Sequence, residues 1–304
     1  NDSSSLETVQ LLLEKGADIN VTNNYGNTAL IYAAKYSNYT SSLEIVQLLL
    51  ENGADINVED DCENTALMFA VENSNYTSSL ETVQLLLSQP NIKIGNNALM
   101  LATKYSNSTS SLETVQLLLE NGADINAKDD CENTALMFAV ENSNYTSSLE
   151  TVQLLLENGA DINAKDDCKN TALIYAAKYS NSTSSLKTVQ LLLSQPNIEI
   201  GDKFIEILIN KQGKQKAYET LFKSHKKIEF LEKVPDKLEL LKHNVKWCHS
   251  NWNLIKKYVP KNVCVCCFKH VKIPVKICEP DHQFHLKCLR TNKKCVVCEY
   301  IQNN

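Results

Sequence analysis

The feature that most limits what this chain can fold into is a block that returns at a fixed interval. Val-Gln-Leu-Leu-Leu occurs six times, starting at Val9, Val46, Val83, Val115, Val152 and Val189, with steps of 37, 37, 32, 37 and 37 residues. Four copies are followed by Gly-Ala-Asp-Ile-Asn, at Gly16, Gly53, Gly122 and Gly159. The other two are followed by Ser-Gln-Pro-Asn-Ile, at Ser88 and Ser194. A period of this length means one supersecondary unit copied along the chain, each copy burying its apolar face on its neighbours.

Each unit decodes in the same way. Thr28-Ala-Leu-Ile-Tyr-Ala-Ala reads as a short helix with small residues on one side, followed by a polar turn, Ser37-Asn-Tyr-Thr-Ser. Ser41-x-x-Glu44 has the form of a capping box and opens a second helix that should bury Val46, Leu49 and Leu50. Gly53 then ends that helix where a left-handed residue is needed, and Asp55 to Asn64 forms an extended turn into the next unit. The first unit has only its second helix, Ser4 to Glu14, and the chain opens at Asn1 inside the pattern, which reads as a fragment of a longer array.

Thr-Ala-Leu-x-x-Ala at Thr28, Thr65, Thr134 and Thr171, the Val-x-Leu-Leu-Leu helix and Gly-Ala-Asp-Ile-Asn together resemble the ankyrin repeat over residues 1–201. The resemblance implies a mainly α solenoid whose units carry no chemistry and leave a concave surface for a target protein. It places Tyr32, Phe69, Leu101, Phe138 and Tyr175 toward that surface, as an interaction ladder or as rings packed between neighbouring short helices. The chain departs from the family in its loops. The family's turn glycine is kept as Gly26 and becomes Glu63, Glu132 and Lys169 elsewhere, and four extra residues lengthen the turn between the helices. Asp60–Leu87 and Asp129–Leu156 are identical over 28 residues. That duplication, with a bias to Asn and Lys, is similar to the ankyrin arrays of large DNA viruses.

Beyond residue 201, Phe204, Ile205, Leu208 and Ile209 can continue a helix, Gly213 breaks it, and Lys214–Lys227 can form another. Aligned on Gly95 and Gly201, this reads as a degenerate, charged terminal unit of the kind that covers the open end of a solenoid. A further helix is expected from Pro235 to Tyr258, with Trp247 and Trp252 available to pack. The expected organisation is an array over residues 1–201, a capping unit and helical linker over 202–262, and a separate small module over 263–301.

That module is marked by ligands. Cys264-x2-Cys267, Cys278-x3-His282-x2-His285-x2-Cys288 and Cys295-x2-Cys298 put eight Cys and His side chains in four pairs, enough for two tetrahedral zinc sites. Cys266 leaves a second choice for the first pair. Seven of the 11 cysteines crowd into this stretch, while Cys62, Cys131 and Cys168 share one repeat position. Such usage points to metal binding in a reducing, intracellular compartment rather than to a disulfide framework. A module this small folds on its metal, which supplies on the order of 10–16 kcal/mol of apparent folding free energy.

His282-Gln-Phe-His285-Leu-Lys-Cys288-Leu resembles the RING finger in its variant with two central histidines, over residues 264–298. The resemblance implies interleaved pairing, with Cys264, Cys267, His285 and Cys288 on one zinc and Cys278, His282, Cys295 and Cys298 on the other. It also implies ubiquitin ligation, in which the module holds a charged conjugating enzyme through positions that are here Val265, Cys266, Leu289 and Val296. Val296 stands where the family has Pro, and Glu299 where it has a basic residue. A non-catalytic scaffold with a structural zinc module is the alternative.

Charge divides the chain. Residues 1–200 carry 26 acidic and 9 basic side chains, and residues 201–304 carry 10 and 21, for a net charge of −6. The basic half contains one arginine, Arg290, among its lysines. Base readout and phosphate clamping favour the guanidinium fork, so solvated helix faces are expected rather than nucleic-acid binding. There is no apolar run near 18 residues, so no membrane span is expected, and the cytoplasm is the expected compartment, a host's if the chain is viral. Five Asn-x-Thr sequons, at Asn38, Asn75, Asn107, Asn144 and Asn181, are one turn copied five times and are not read as glycosylated. Paired acids at the turn tips, such as Asp60 and Asp61, are read as solvated rather than as calcium ligands.

Overall fold

The computed structural model describes residues 3–36, 42–73, 77–104, 109–141, 146–179 and 183–212, residues 217 and 220, and the strand residues 275–276 and 283–284. Two compact units divide the chain, Asn1–Val189 and Gln190–Asn304.

In the first unit, short and long helices alternate. The short ones are α2 (Ala29–Lys35), α4 (Ala66–Glu72), α6 (Asn96–Lys104), α8 (Ala135–Glu141) and α10 (Ala172–Lys178). The long ones are α1 (Ser3–Glu14), α3 (Ser42–Glu51), α5 (Thr77–Leu87), α7 (Thr109–Glu120) and α9 (Thr146–Glu157). Helix α11 (Thr183–Ser194) spans the boundary between the units. Short helices pack on short ones in sequence order from α2 to α10, long on long from α1 to α9, and each short helix also packs on the long one after it as far as α9. Two parallel rows result, and each described pair touches its sequence neighbours.

Helices of seven residues do not persist alone in water, so packing must hold them. The chain supplies small residues where short helices meet: Ala66, Ala70, Ala98, Ala102, Ala135, Ala139, Ala172 and Ala176 are buried. The long helices contribute Val46, Leu49, Val83, Leu86, Val115, Leu118, Val152, Leu155, Val189 and Leu192, all buried. Leu50 is only half-buried, against the expectation from helical spacing, whereas its counterparts Leu87 and Leu193, in the units that end Ser-Gln-Pro, are buried.

The expected helix ends are present and have a common chemistry. Gly16, Gly53, Gly122 and Gly159 lie at φ between 84° and 89°. At each the glycine N–H donates three residues back and the next alanine N–H five residues back, as in Gly53 to Leu50 O (3.1 Å) and Ala54 to Leu49 O (3.0 Å). That pattern is the Schellman motif, and it satisfies carbonyls the helix would otherwise leave bare. The rest of Gly-Ala-Asp-Ile-Asn ties one unit to the next. Asp55 Oδ1 accepts from Asn57 N at 3.0 Å, and Ile56 is buried. Asn20 Oδ1 accepts from Asp55 N at 2.8 Å, 35 residues away, and Asn126 Oδ1 accepts from Asp161 N at 2.7 Å in the same way. Asn57 bridges to the shorter following turn, accepting from Lys93 N and donating to Asn91 O, both at 2.8 Å.

Where the family's turn glycine is missing, the backbone conformation is kept. Glu63, Glu132 and Lys169 lie at φ 63°, 63° and 60°, beside 74° for Gly26. A Cβ in this region meets the following carbonyl, a cost of roughly 1–2 kcal/mol per residue. The turn is held by the first aspartate of Asp-Asp-Cys. Asp60 Oδ1 accepts from Cys62 N and Asn64 N, each at 2.9 Å, and Asp129 Oδ1 accepts from Cys131 N and Asn133 N at 3.0 and 2.7 Å.

In the second unit, α12 (Asp202–Gln212) follows Gly201 and buries Phe204, Ile205 and Leu208, with Ile209 half-buried. Ala217 and Thr220 are buried, and Thr220 Oγ1 donates to Gln212 Oε1 at 3.4 Å. Strands β1 (Val275–Lys276) and β2 (Gln283–Phe284) pair antiparallel, with Val275 opposite Phe284 and Lys276 opposite Gln283. Gly213, the helix expected from Pro235 to Tyr258, Ser41 of the capping box and the five sequon asparagines lie outside the described residues.

Thermal or urea denaturation should separate two kinds of glycine. An added Cβ at Gly53 meets no atom within 4 Å, whereas at Gly26 it meets Asp60 Cα and Asp61 N at 2.9 Å. Gly53→Ala is expected to cost about 1–2 kcal/mol, from conformation alone. Gly26→Ala should cost more, and Glu63→Gly, Glu132→Gly and Lys169→Gly should each raise stability by about 0.5–1 kcal/mol. Equal losses at Gly26 and Gly53 would contradict the close approach of the turns. A core truncation sets the scale: Leu118→Ala, at a fully buried position, should cost about 2–5 kcal/mol.

Candidate functional site

The five residues expected to face a partner fall at one register position, the fourth residue of α2, α4, α8 and α10 and the sixth of α6. They do not form a uniform exposed ladder. Tyr32 is 41% exposed and Phe69 only 9%, while Leu101, Phe138 and Tyr175 are half-buried. The row therefore lies between the two expectations, its rings packed partly on neighbours and open chiefly at α2.

The rings are held by polar and cationic contacts from the same row. Lys35 Nζ sits 5.0 Å from the centroid of Phe69, in the next unit, and Lys178 Nζ sits 5.1 Å from that of Tyr175. Tyr32 stacks on Tyr36, and Tyr175 on Tyr179, each pair with centroids 6.4 Å apart and planes within 8° of parallel. One turn of helix separates the partners of each stack, which is the spacing at which helical side chains meet.

The two tyrosine pairs differ in what holds their hydroxyls. Tyr32 Oη accepts from Asn23 Nδ2 at 2.9 Å. Tyr175 Oη instead donates to Asp166 Oδ2 at 2.8 Å and lies 3.4 Å from Asn133 Oδ1. Asp166 is buried, and burial alone would raise its carboxyl. Donors from Asn170, Tyr175 and the Cys168 backbone outweigh that and hold it below the usual carboxylate value. Burial, and then the bond to Asp166, push the Tyr175 hydroxyl far above its usual value. Tyr179 donates to Glu141 Oε1 at 2.9 Å, and that bond, with burial, raises its hydroxyl as well.

The carboxylates Asp60, Asp129 and Asp166 are engaged by N–H groups of their own turns, and no group of three or more metal-binding side chains occurs among the described residues. Cys62, Cys131 and Cys168 are exposed thiols on these turns. The eight zinc-ligand candidates, Cys264, Cys267, Cys278, His282, His285, Cys288, Cys295 and Cys298, lie outside the described residues, as do Val265, Cys266, Leu289 and Val296. The bridging role of Asn20, Asn57 and Asn126 was missed in the sequence, although their recurrence at the end of Gly-Ala-Asp-Ile-Asn was visible there.

Two rows of short paired helices, joined by turns bonded unit to unit, define a repeat scaffold. The ankyrin-repeat family model matches three times, over residues 2–60, 37–129 and 99–204, and the chain belongs to the ankyrin-repeat family. A stretch of 36 residues is 56% identical to an ankyrin-repeat protein, R664, of Acanthamoeba polyphaga mimivirus; it covers 12% of this chain and 22% of that relative's length. Among solved structures, the ankyrin-repeat protein EF0377 is similar with a TM-score of 0.53 and 26% identity, covering 64% of this chain and 92% of that one. Membership implies a role in protein–protein interaction, the activity that such arrays serve. No helix among the described residues is long and apolar enough to cross a membrane.

The Asp166–Tyr175 contact can be tested through pH. Asp166 has a depressed folded-state value, so its contribution is present above the ordinary carboxylate range and is lost as pH falls through that depressed value. Tyr175→Phe should therefore cost about 1 kcal/mol at pH 7 by urea denaturation. The difference from the parent should shrink as pH falls below the ordinary carboxylate range and the carboxyl takes up its proton. A pH-independent difference would assign the loss to packing.

Proposed function

We propose that the chain is a RING-type ubiquitin ligase-like protein, in which the array captures a target and the C-terminal module recruits a ubiquitin-conjugating enzyme. The observation that carries the proposal is the string of six cysteines and two histidines following a protein-binding scaffold. A set made only of thiolate and imidazole donors suits zinc, whose structural sites take four such ligands. On this reading Cys264, Cys267, His285 and Cys288 would hold one ion, and Cys278, His282, Cys295 and Cys298 the other. The pairing of β1 with β2 supports it, because Cys278 and His282 fall in the six residues joining those strands.

The zinc would serve to fold the module. Ligation of this type needs no nucleophile or base from the chain; its contribution is to hold two reactants in an orientation that favours attack. Val265, Cys266, Leu289 and Val296 are the proposed contacts for the conjugating enzyme, and Tyr32, Phe69, Leu101, Phe138 and Tyr175 those for the target.

The second reading, a non-catalytic scaffold with a structural zinc module, is favoured by Val296 in place of Pro, by Glu299, and by the six residues left between Cys288 and Cys295. Metal analysis should find two zincs per chain under either reading, and a single zinc would reduce the string to a simple knuckle. Autoubiquitination with a panel of conjugating enzymes then decides between them. Products that disappear on chelation and in Cys278→Ala are the expected result. No product with any enzyme, from a chain that holds both zincs, would establish the scaffold reading.

A further inference from the structure

The row of turn tips is interrupted inside the array. Residues 15–28, 52–65, 121–134 and 158–171, 14 in each case, lead from a long helix into a short one. They carry tips at residues 23–26, 60–63, 129–132 and 166–169. Only eight residues, 88–95, lead from α5 into α6, and they have no such tip. Asn57 holds this shorter turn through Asn91 O and Lys93 N. Because α4 packs on α6 and α6 on α8, the unit without a tip lies between two that have one. The break thus comes from the sequence of an interior unit.

Consecutive tips are joined by their backbones. Asp61 N donates to Tyr25 O at 3.1 Å, and Asp167 N donates to Cys131 O at 3.2 Å. The equivalent groups on the two sides of the break are Cys62 O and Asp130 N. Among the described residues, Cys62 O accepts from no group and Asp130 N donates to none. A free acceptor and a free donor therefore flank the place of one absent tip. Asn96 and Asn97 are exposed there at the start of α6, and their side-chain amides have no partner among the described residues. Unpaired backbone of this kind is a template for another chain, and main-chain hydrogen bonds then supply affinity.

Charge selects what can enter. Glu59, Asp61 and Glu63 are exposed on one side of the break, and Asp130 and Glu132 on the other. The exposed cations nearby are Lys93 and Lys128, and Lys128 is paired with Glu132. An entering segment meets an excess of negative charge, which favours a basic one.

We infer that the break is a docking slot for a basic β-turn of a partner protein, which enters in place of the absent tip. One N–H of that turn donates to Cys62 O, and one of its carbonyls accepts from Asp130 N. Lysines or arginines beside them face the carboxylates. The slot depends on the protein-binding role of the array and not on ubiquitin transfer, so autoubiquitination can fail while the slot binds, and the reverse.

The probe is a fluorescently labelled, head-to-tail cyclised hairpin peptide with Lys-Asn-Gly-Lys at its turn, since Asn-Gly favours a tight hairpin. It is titrated with the full chain beside a counterpart carrying glutamate in place of lysine. The lysine hairpin should bind and the glutamate hairpin should not. Amide hydrogen exchange reads the slot directly. In the free chain the Asp130 N–H should exchange faster than those of Asp61 and Asp167, and the bound lysine hairpin should slow it. Replacing residues 88–97 with the sequence of residues 120–134 restores a tip and should abolish binding, with a thermal melt showing the chain folded. Two further measurements do not depend on that graft. Asp61→Asn and Asp130→Asn, at exposed positions, should each weaken binding about 2- to 5-fold, the range of an exposed ion pair. N-methylation of the turn amide that meets Cys62 O should cost about 2- to 10-fold, the range of one hydrogen bond. Unchanged exchange at Asp130 under saturating lysine hairpin, undiminished binding by the folded graft, or no binding of the lysine hairpin would each overturn the slot.

Discussion

Everything in the array depends on lateral burial between units. A seven-residue helix is too short to nucleate and persist alone, and a 12-residue partner is marginal, so neither has a stable existence outside the stack. What fixes them is the face of each long helix that holds pairs such as Val46 and Leu49 or Val115 and Leu118, buried against the adjoining units.

Hydrogen bonding adds register to this burial. Apolar packing between similar helices is tolerant of sliding, because one leucine fits much like the next. The asparagine that closes Gly-Ala-Asp-Ile-Asn is not tolerant: it reaches a particular backbone group about 35 residues away. The aspartate that shapes each turn likewise fixes where the next short helix begins. Burial thus supplies the driving force, and a small set of amide and carboxylate contacts decides which arrangement of the stack is reached.

Much of this was legible in the sequence because repetition amplifies weak signals. One Gly after one leucine run is ambiguous, but the same Gly after four such runs marks a left-handed helix end, and all four lie at positive φ. Other features were hidden for physical reasons. Glu63, Glu132 and Lys169 align with the family's turn glycine, but their side chains disfavour its conformation, which is kept because the turn's aspartate contacts impose it. Tyr25, Tyr32 and Tyr36 were separately visible, but the Asn23 side chain that gathers them is a tertiary contact. The half-buried state of Phe138 and Tyr175 depends on neighbours, which a single residue cannot report. The proposed zinc sites near the C-terminus rest on the spacing of their candidate ligands alone.

Nearest-neighbour packing also bears on how such a chain can change length over generations. Asp60–Leu87 and Asp129–Leu156 are the same 28 residues placed 69 apart, and each enters its neighbours through equivalent surfaces. Unequal exchange between the two gene segments would remove or add that interval while rejoining helices in the correct phase. Neither product creates a type of unit-to-unit joint that the present chain lacks. The architecture therefore makes array length a heritable variable that can drift without passing through an unfolded intermediate sequence, so the span of the binding row can be altered in whole repeats.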